Sequence, residues 1–461
     1  MMKTYFPILT LSLLFPIVVD EEGGLFAQER PAHTSQALKA YTSSYTQVPF
    51  RADTDISDLS LMPAEPFVVG MDVAWDSEDN VVRGTNYIGT DVLSIGRVSF
   101  QPSDLVDDDG NLATAQQSAL LARLNHIAKS GVKNLILNCD HEVLCNSDNY
   151  PNCAQNYANY YGKPEQWLKV IKASVKFCES KGFKVITISP FNEPDYTAWK
   201  EGTKDHFKAI AKLINEDPDL AGIRVSAGNT LNCDQASSWY SYMKPNVQEG
   251  NTHQLAGSFD NYAAFFTTVR NFGHHATADE LHNTMEAMVG VRYGMQTGIW
   301  WGTCEHSRSQ FMKATCHTNP GKRLAYAEHR ENWTAASVYR HADGSVQAFG
   351  GTSERQGVDT RYVFASLDRP VWYNGERGRD YVLYLPGGTG YQVGQSNAET
   401  VVDVQSGEDI MPHIDGIYKV VNMNSGCLMG FSASPASGWV SATQRKNNNT
   451  QKWLQWQVTP V

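Results

Sequence analysis

Between residues 65 and 315 the chain repeats one pattern about eight times: a short apolar run, a turn, then a stretch with apolar residues three and four apart. The apolar runs are Phe67–Val73, Val92–Phe100, Val132–Leu137, Val185–Ser189, Ile223–Ala227, Thr252–Ala256, Ala276–Glu280 and Thr297–Trp301. Between them, Leu120, Leu121, Leu124 and Ile127 share one helical face, and Gly131 ends that pattern. Pro164 opens a helix to Lys181 with Trp167, Leu168, Ile171, Val175 and Cys178 on its apolar side. Phe207, Ile210, Ala211 and Ile214 mark another helix, and further ones are predicted over Asp234–Met243, Ser258–Phe272, Met285–Met295 and residues 305–314. Strands alternating with helices predict an α/β protein with a parallel sheet, and eight units in about 250 residues predict a closed (β/α)8 (TIM) barrel, here over residues 65–322. The alternative is an open doubly wound sheet, but no Gly-rich phosphate turn follows the first strand. Only 18 residues separate the first two strands, so the first helix is expected to be very short or absent.

The flanks read differently. Lys3 precedes a 14-residue apolar run, Phe6–Val19, which is interrupted by Pro7 and Pro16 and is too short to span a bilayer as a helix. With Ala27 at a cleavage position, residues 1–27 are expected to be a secretory signal peptide, which implies export to the periplasm, cell surface or medium. Residues 28–64 are polar and expected to be irregular. After Arg323, Val346–Phe349, Arg361–Ala365, Tyr381–Leu385 and Val401–Val404 are short alternating strands joined by turns such as Asp343-Gly344 and Gly387-Gly388, which predicts a small all-β sandwich over residues 323–410. No other stretch reads as a membrane span, and the formal charge of −11 argues against a nucleic-acid partner.

Eight cysteines are present, and in an exported chain some can pair. Cys145 with Cys153, and Cys304 with Cys316, are near enough in sequence to be considered, although spacing does not decide pairing. Asp140, His141, Glu142 and Cys145 offer zinc-type ligands, but no CxxC or HExxH spacing accompanies them; no metal or organic cofactor is expected.

The sharpest chemical signal is Ser189-Pro190-Phe191-Asn192-Glu193-Pro194, where the fourth strand ends. In a barrel the carboxyl ends of the strands form the active-site face. Asn-Glu-Pro there resembles the acid/base motif of the clan A retaining glycoside hydrolases, and a barrel followed by a β-sandwich is similar to families 30 and 39 of that clan. The resemblance implies that Glu193 protonates a departing glycosidic oxygen and that Asn192 binds the sugar 2-hydroxyl. It also implies a second carboxylate at the end of strand seven, about 5–5.5 Å from the first in a retaining enzyme. Counting units places Glu280 there, in Ala278-Asp279-Glu280-Leu281-His282-Asn283; Glu305 and Glu328 are rivals. Arg97, on strand two, matches the arginine that keeps such a nucleophile charged, and Trp301, ending strand eight, matches the floor of the sugar subsite. Asp140 and His141 after strand three, Asn229 after strand five and His253 in strand six are polar groups at the same mouth and join the substrate-binding candidates.

At the C-terminus, Gly416-Ile417-Tyr418-Lys419, Val421-Asn422, Ser425-Gly426-Cys427-Leu428 and Gln451-Lys452-Trp453 resemble one repeat of a ricin-type β-trefoil lectin over residues 411–461, where a complete trefoil needs three. Together these features predict a secreted retaining glycoside hydrolase cleaving β-glycosidic bonds in a polysaccharide or oligosaccharide. The alternatives are a non-catalytic carbohydrate-binding protein on a degenerate barrel and a transglycosylase, which shares the double displacement and differs in acceptor.

Overall fold

The computed structural model describes residues 45–53, 68–73, 78–145, 152–302, 304, 306–388 and 399–405, together with four short strands beyond them. Strand β1 (Thr46–Phe50) comes first in the chain. The next eight strands are β2 (Val68–Asp72), β3 (Leu93–Phe100), β4 (Asn134–Cys139), β5 (Lys184–Ser189), β6 (Arg224–Asn232), β7 (Glu249–Ala256), β8 (His275–Leu281) and β9 (Thr297–Trp300). All eight run parallel in that order, and β9 pairs back onto β2 to close a (β/α)8 barrel. Inside it, Ile95, Ile136 and Ile299, with the partly buried Ile186, form a small apolar plug separate from the main core. Outside, Leu135, Leu137, Val185 and Ile188 share one continuous core with Leu120, Leu124 and Ile127 of helix Thr114–Ala128 and with Val170 and Ile171 of helix Pro164–Ser180. Burial on both faces explains why these strands read as apolar runs without alternation.

The remaining strands are β10 (Lys322–His329), β11 (Thr334–Arg340), β12 (Val346–Thr352), β13 (Thr360–Ser366), β14 (Val371–Tyr373), β15 (Glu376–Gly378), β16 (Asp380–Leu385) and β17 (Thr400–Gln405). They build a six-stranded sheet, β10-β11-β12-β17-β14-β15, and a three-stranded sheet, β1-β13-β16. Val48, Phe50, Val338, Ala348, Tyr362, Phe364, Leu385 and Val402 fill the core of this sandwich.

The structure corrects two expectations and bears on the cysteines. The segment expected to be irregular holds β1, which pairs in parallel with β13 and buries Val48 and Phe50. Its five residues alternate too briefly to stand out, and Pro49 masks them; a proline without an N–H is tolerated because β1 is an edge strand. The first barrel helix is neither absent nor minimal: Glu78–Ile88 spans 11 residues and buries Val81, Gly84, Thr85 and Ile88. Its sparse apolar face hid it from a periodicity argument. Cys153 and Cys316 are free thiols, and the Cys145 side chain lies outside the described residues. Cys304 and Cys316 flank the ten-residue helix His306–Thr315, about 15 Å long, well beyond the reach of a disulfide.

Past the sandwich, β18 (Gly416–Tyr418) pairs with β21 (Trp456–Val458), and β19 (Leu428–Phe431) with β20 (Ala442–Arg445). The rest of the lectin-like segment, the leader 1–27 and Glu305 lie outside the described residues. Among the described residues no helix is long and apolar enough to cross a membrane.

Candidate active site

Glu193 sits in the loop that follows β5, at the carboxyl face of the barrel. Its backbone is left-handed, with φ 57°, a conformation costing of order 1–3 kcal/mol that persists only where the surroundings enforce it. The enforcing contacts are visible. The Glu193 N–H donates to the Asn229 carbonyl at 2.8 Å, and Asp195 accepts the N–H groups of Leu231 and Asn232, tying the loop to β6. The Asn192 N–H donates to Glu201 Oε1 at 2.6 Å; burial pushes the Glu201 carboxyl well above its ordinary pKa. Asn229 is itself left-handed, φ 46°, and follows Gly228, where a Cβ would stand 2.2 Å from the Asn251 carbonyl oxygen. Glycine there lets β6 and β7 approach closely enough for this polar cluster.

Glu280, near the end of β8, faces Glu193. One carboxylate oxygen of each and a ring nitrogen of His253 all lie within 4.8 Å of one another. Arg97 Nη2 reaches Glu280 Oε1 at 2.7 Å, its Nε lies 3.1 Å from Asp279 Oδ2, and its Nη1 pairs with Asp72. Burial opposes the guanidinium charge, but Asp279, Asp72 and Glu280 outweigh it and raise the Arg97 pKa. His253 stands between the carboxylates: Nδ1 is 3.0 Å from Glu193 Oε1 and 3.5 Å from Glu280 Oε2, and Nε2 is 2.9 Å from Asp279 Oδ1. Burial alone would discharge this imidazole; Glu280, Asp279 and Glu193 instead raise its pKa well above the usual histidine range. For Glu280, burial would favour the acid, yet His253 and Arg97 hold it well below the ordinary carboxylate range. The grouping Glu193, His253 and Glu280 has the spacing of a metal site, and the Arg97 guanidinium already stands 2.7 Å from Glu280.

The other sequence candidates divide. The Asn192 side chain is drawn into the polar cluster, its Oδ1 accepting from Arg97 Nη2 at 2.8 Å and its Nδ2 donating to His141 Nδ1 at 3.0 Å. His141 is buried, which lowers its pKa, and packs on Trp199 with ring centroids 4.2 Å apart. Asp140 turns away from the mouth: its Oδ2 accepts from Arg123 Nη2 at 2.6 Å and Gln101 Nε2 at 3.0 Å. Asp140 and His141 therefore take different partners, and the Cys145 side chain of the zinc-type grouping lies outside the described residues. Asn229 is buried, its Nδ2 donating to the Phe191 carbonyl at 3.0 Å and its Oδ1 accepting from Asn251 Nδ2 at 2.6 Å, so it supports the loop from below. His253 is completely buried and acts on the carboxylates beside it. Trp300 and Trp301 point opposite ways: Trp300 is core, with Arg308 5.0 Å from its ring centroid, whereas Trp301 is half-buried and stacks on His282 at 5.4 Å. The rival Glu328 lies in β10, bound by Tyr293, Tyr326 and Arg330. Tyr293 ends the helix that starts at Thr284, so Glu328 sits about 15 Å down that helix from the mouth.

Further residues complete the site, of which Trp199, Asn138 and Asp72 went unremarked in the sequence. Trp199 Nε1 donates to Glu193 Oε2 at 3.1 Å. Asn138 Nδ2 donates to Asn192 Oδ1 at 3.2 Å, and Asp279 and Asp72 share Arg97 with Glu280. The available signal was a polar residue near the end of a mostly apolar strand, as Asn138 is in Asn134–Cys139, but many such residues only cap strands.

No protein-family model matches this chain, and no curated protein matches it. Among solved structures it is similar to a GH30 endoxylanase from Clostridium papyrosolvens C71, at 15% identity over 78% of this chain and 100% of that one, TM-score 0.48. A family 30 subfamily 8 xylanase from Clostridium acetobutylicum shows 13% identity over 78% and 100%, TM-score 0.46. A family 39 glycoside hydrolase from the gut symbiont Bacteroides cellulosilyticus WH2 shows 11% identity over 74% and 81%, TM-score 0.42.

Proposed function

We propose that the protein is an exported retaining glycoside hydrolase that cleaves β-glycosidic bonds in a polysaccharide or oligosaccharide. The observation that carries this is the pair Glu193 and Glu280, whose nearest oxygens lie within 4.8 Å across the barrel mouth. That is close to the separation of about 5–5.5 Å used in double displacement, and too short to admit the water that an inverting enzyme places between its carboxyls.

In the first step Glu193 gives its proton to the glycosidic oxygen. The bond from that oxygen to the anomeric carbon breaks as Glu280 Oε forms a bond to the same carbon. The charge left on Glu193 is met by His253 Nδ1 and Trp199 Nε1. Arg97 and His253 keep Glu280 ionised and ready to attack. In the second step water attacks the anomeric carbon, Glu193 takes its proton, and Glu280 leaves, so the sugar departs with its original configuration. Half-buried Trp301 offers an indole surface to the sugar held at Glu280. The apolar leader Phe6–Val19 supports export, and the segment 411–461 is proposed as a single lectin-type repeat appended to the enzyme.

The test is a panel of plant, fungal and host glycans, with the anomer released first followed by NMR. A β-product from a β-linked substrate is expected. Release of the α-anomer, or no hydrolysis anywhere on the panel, would remove the proposal.

A further inference from the structure

The loop after β12 carries a third carboxylate to the barrel mouth. Glu354 belongs to the β-sandwich, yet its Oε1 lies 3.5 Å from His282 Nδ1, while Nε2 of the same imidazole lies 3.8 Å from Glu280 Oε2. His282 also stacks under Trp301, with ring centroids 5.4 Å apart. Glu354 is only 3% exposed, and among the described residues neither of its oxygens has a hydrogen-bond donor. A buried carboxylate in that state lowers stability and calls for an explanation. The loop itself is firmly seated: Ser353 Oγ donates to Gln254 Oε1 on β7 at 3.2 Å, the Ser353 N–H donates to the Trp333 carbonyl at 2.9 Å, and a Cβ on Gly388 would stand 2.4 Å from the Glu354 carbonyl oxygen.

We infer that Glu354 is a positioning residue of the active site, acting through His282 on the nucleophile Glu280, so that the β-sandwich is part of the catalytic centre. This rests on the glycosidase reading of Glu193 and Glu280. The mechanism follows from the two ring nitrogens. A charged Glu354 draws a proton to Nδ1; a neutral Glu354 donates to Nδ1 and leaves any N–H at Nε2, facing Glu280. Whether the ring nitrogen 3.8 Å from Glu280 carries a proton, and the tilt of the ring under Trp301, are therefore set by Glu354. The charged groups around this row are Glu280, Glu286, Arg308 and Arg355, with Arg308 held by Glu399; the His282 N–H donates to Glu286 Oε2 at 2.9 Å, and its carbonyl accepts from Arg308. Burial pushes Glu354 up to about 7 and Glu286 up to about 8, which puts the Glu354 ionisation near neutral pH.

The experiment uses the full-length chain with Glu354→Gln, whose amide donates to Nδ1 as the neutral acid would. Wild-type kcat is expected to show an ionisation near pH 7 that this variant lacks, with KM changed less than twofold. Because the folded-state pKa of Glu354 lies above its unfolded value, its charge destabilises the fold increasingly as pH rises past the ordinary glutamate range. Glu354→Gln should therefore melt no lower than wild type at pH 8, the reverse of what loss of a structural contact does. An unchanged kcat–pH profile would overturn the inference. If the variant does not fold, Glu354→Asp takes its place, and an ionisation that stays where the wild type has it overturns the inference equally. In a cycle with His282→Gln, adding Glu354→Gln should cost less than twofold more; two fully additive losses would show that Glu354 does not act through His282. Wild-type hydrolysis with an inactive Glu280→Gly settles the underlying reading separately, so its failure and this one are distinguishable.

Discussion

Arg97 holds Glu280 with Nη2 2.7 Å from Oε1, inside a cage that also contains Asp279 and Asp72. One guanidinium thus compensates three buried carboxylates and fixes the direction in which Glu280, the proposed nucleophile, points. Lysine could not replace it, since a single ammonium cannot reach three partners with the geometry of a planar fork. Arg97→Met should cost about 3–5 kcal/mol of stability, because the carboxylates left behind are buried and unpaired. Arg97→Lys should fold but lose most of its kcat. Urea midpoints and steady-state rates check both, and an Arg97→Met variant as stable as wild type would contradict this account.

The roles of the two carboxylates are separable with a small anion. Glu280→Gly leaves a hole from which azide can attack an activated aryl glycoside, giving a glycosyl azide of inverted configuration. Glu193→Ala lets the covalent intermediate form first, so azide then gives the retained product. If both variants yield the same anomer, or if Glu280→Gly turns over normally, the assignment of nucleophile and acid is wrong.

His253 gives a pH signature. Its folded-state pKa is raised above the usual histidine value by Glu280, Asp279 and Glu193 despite complete burial. Its contribution to stability is therefore fully present below the ordinary histidine pKa of about 6.5 and is lost as pH rises through the higher folded value. The stability gap between wild type and His253→Gln should be largest near pH 5–6 and shrink towards pH 10. Denaturant midpoints across that range test this, and a gap that widens with pH would mean that the imidazole is neutral in the fold.

Trp301 is half-buried, so its truncation should spare the fold while removing the proposed sugar surface. Trp301→Ala is expected to lower kcat/KM roughly 100-fold, about 3 kcal/mol of transition-state binding. A variant that melts early but works normally in the cold would instead assign Trp301 to packing.

Much of this was legible in one dimension. Eight apolar runs separated by helical periodicity determine a parallel sheet covered by helices, and eight units in about 250 residues point to its closure into a barrel. The same count places Glu193 and Glu280 after the fourth strand and near the end of the seventh, hence on one face. Local patterns failed where structure depends on distant partners. Thr46–Phe50 is a strand because β13 is there to pair with it, and Glu78–Ile88 is a helix because its few apolar residues have a core to enter. The chemistry of the site belongs to the same class. Asp140 and His141 are sequence neighbours that diverge, one to Arg123 and the other to Asn192. His253 and Asp279 are 26 positions apart and share a proton-bearing contact. Sequence determines which groups arrive at the ends of the strands. Which of them become charged, and which face the substrate, is decided only when burial removes water and leaves each group to the partners that the closed barrel sets beside it.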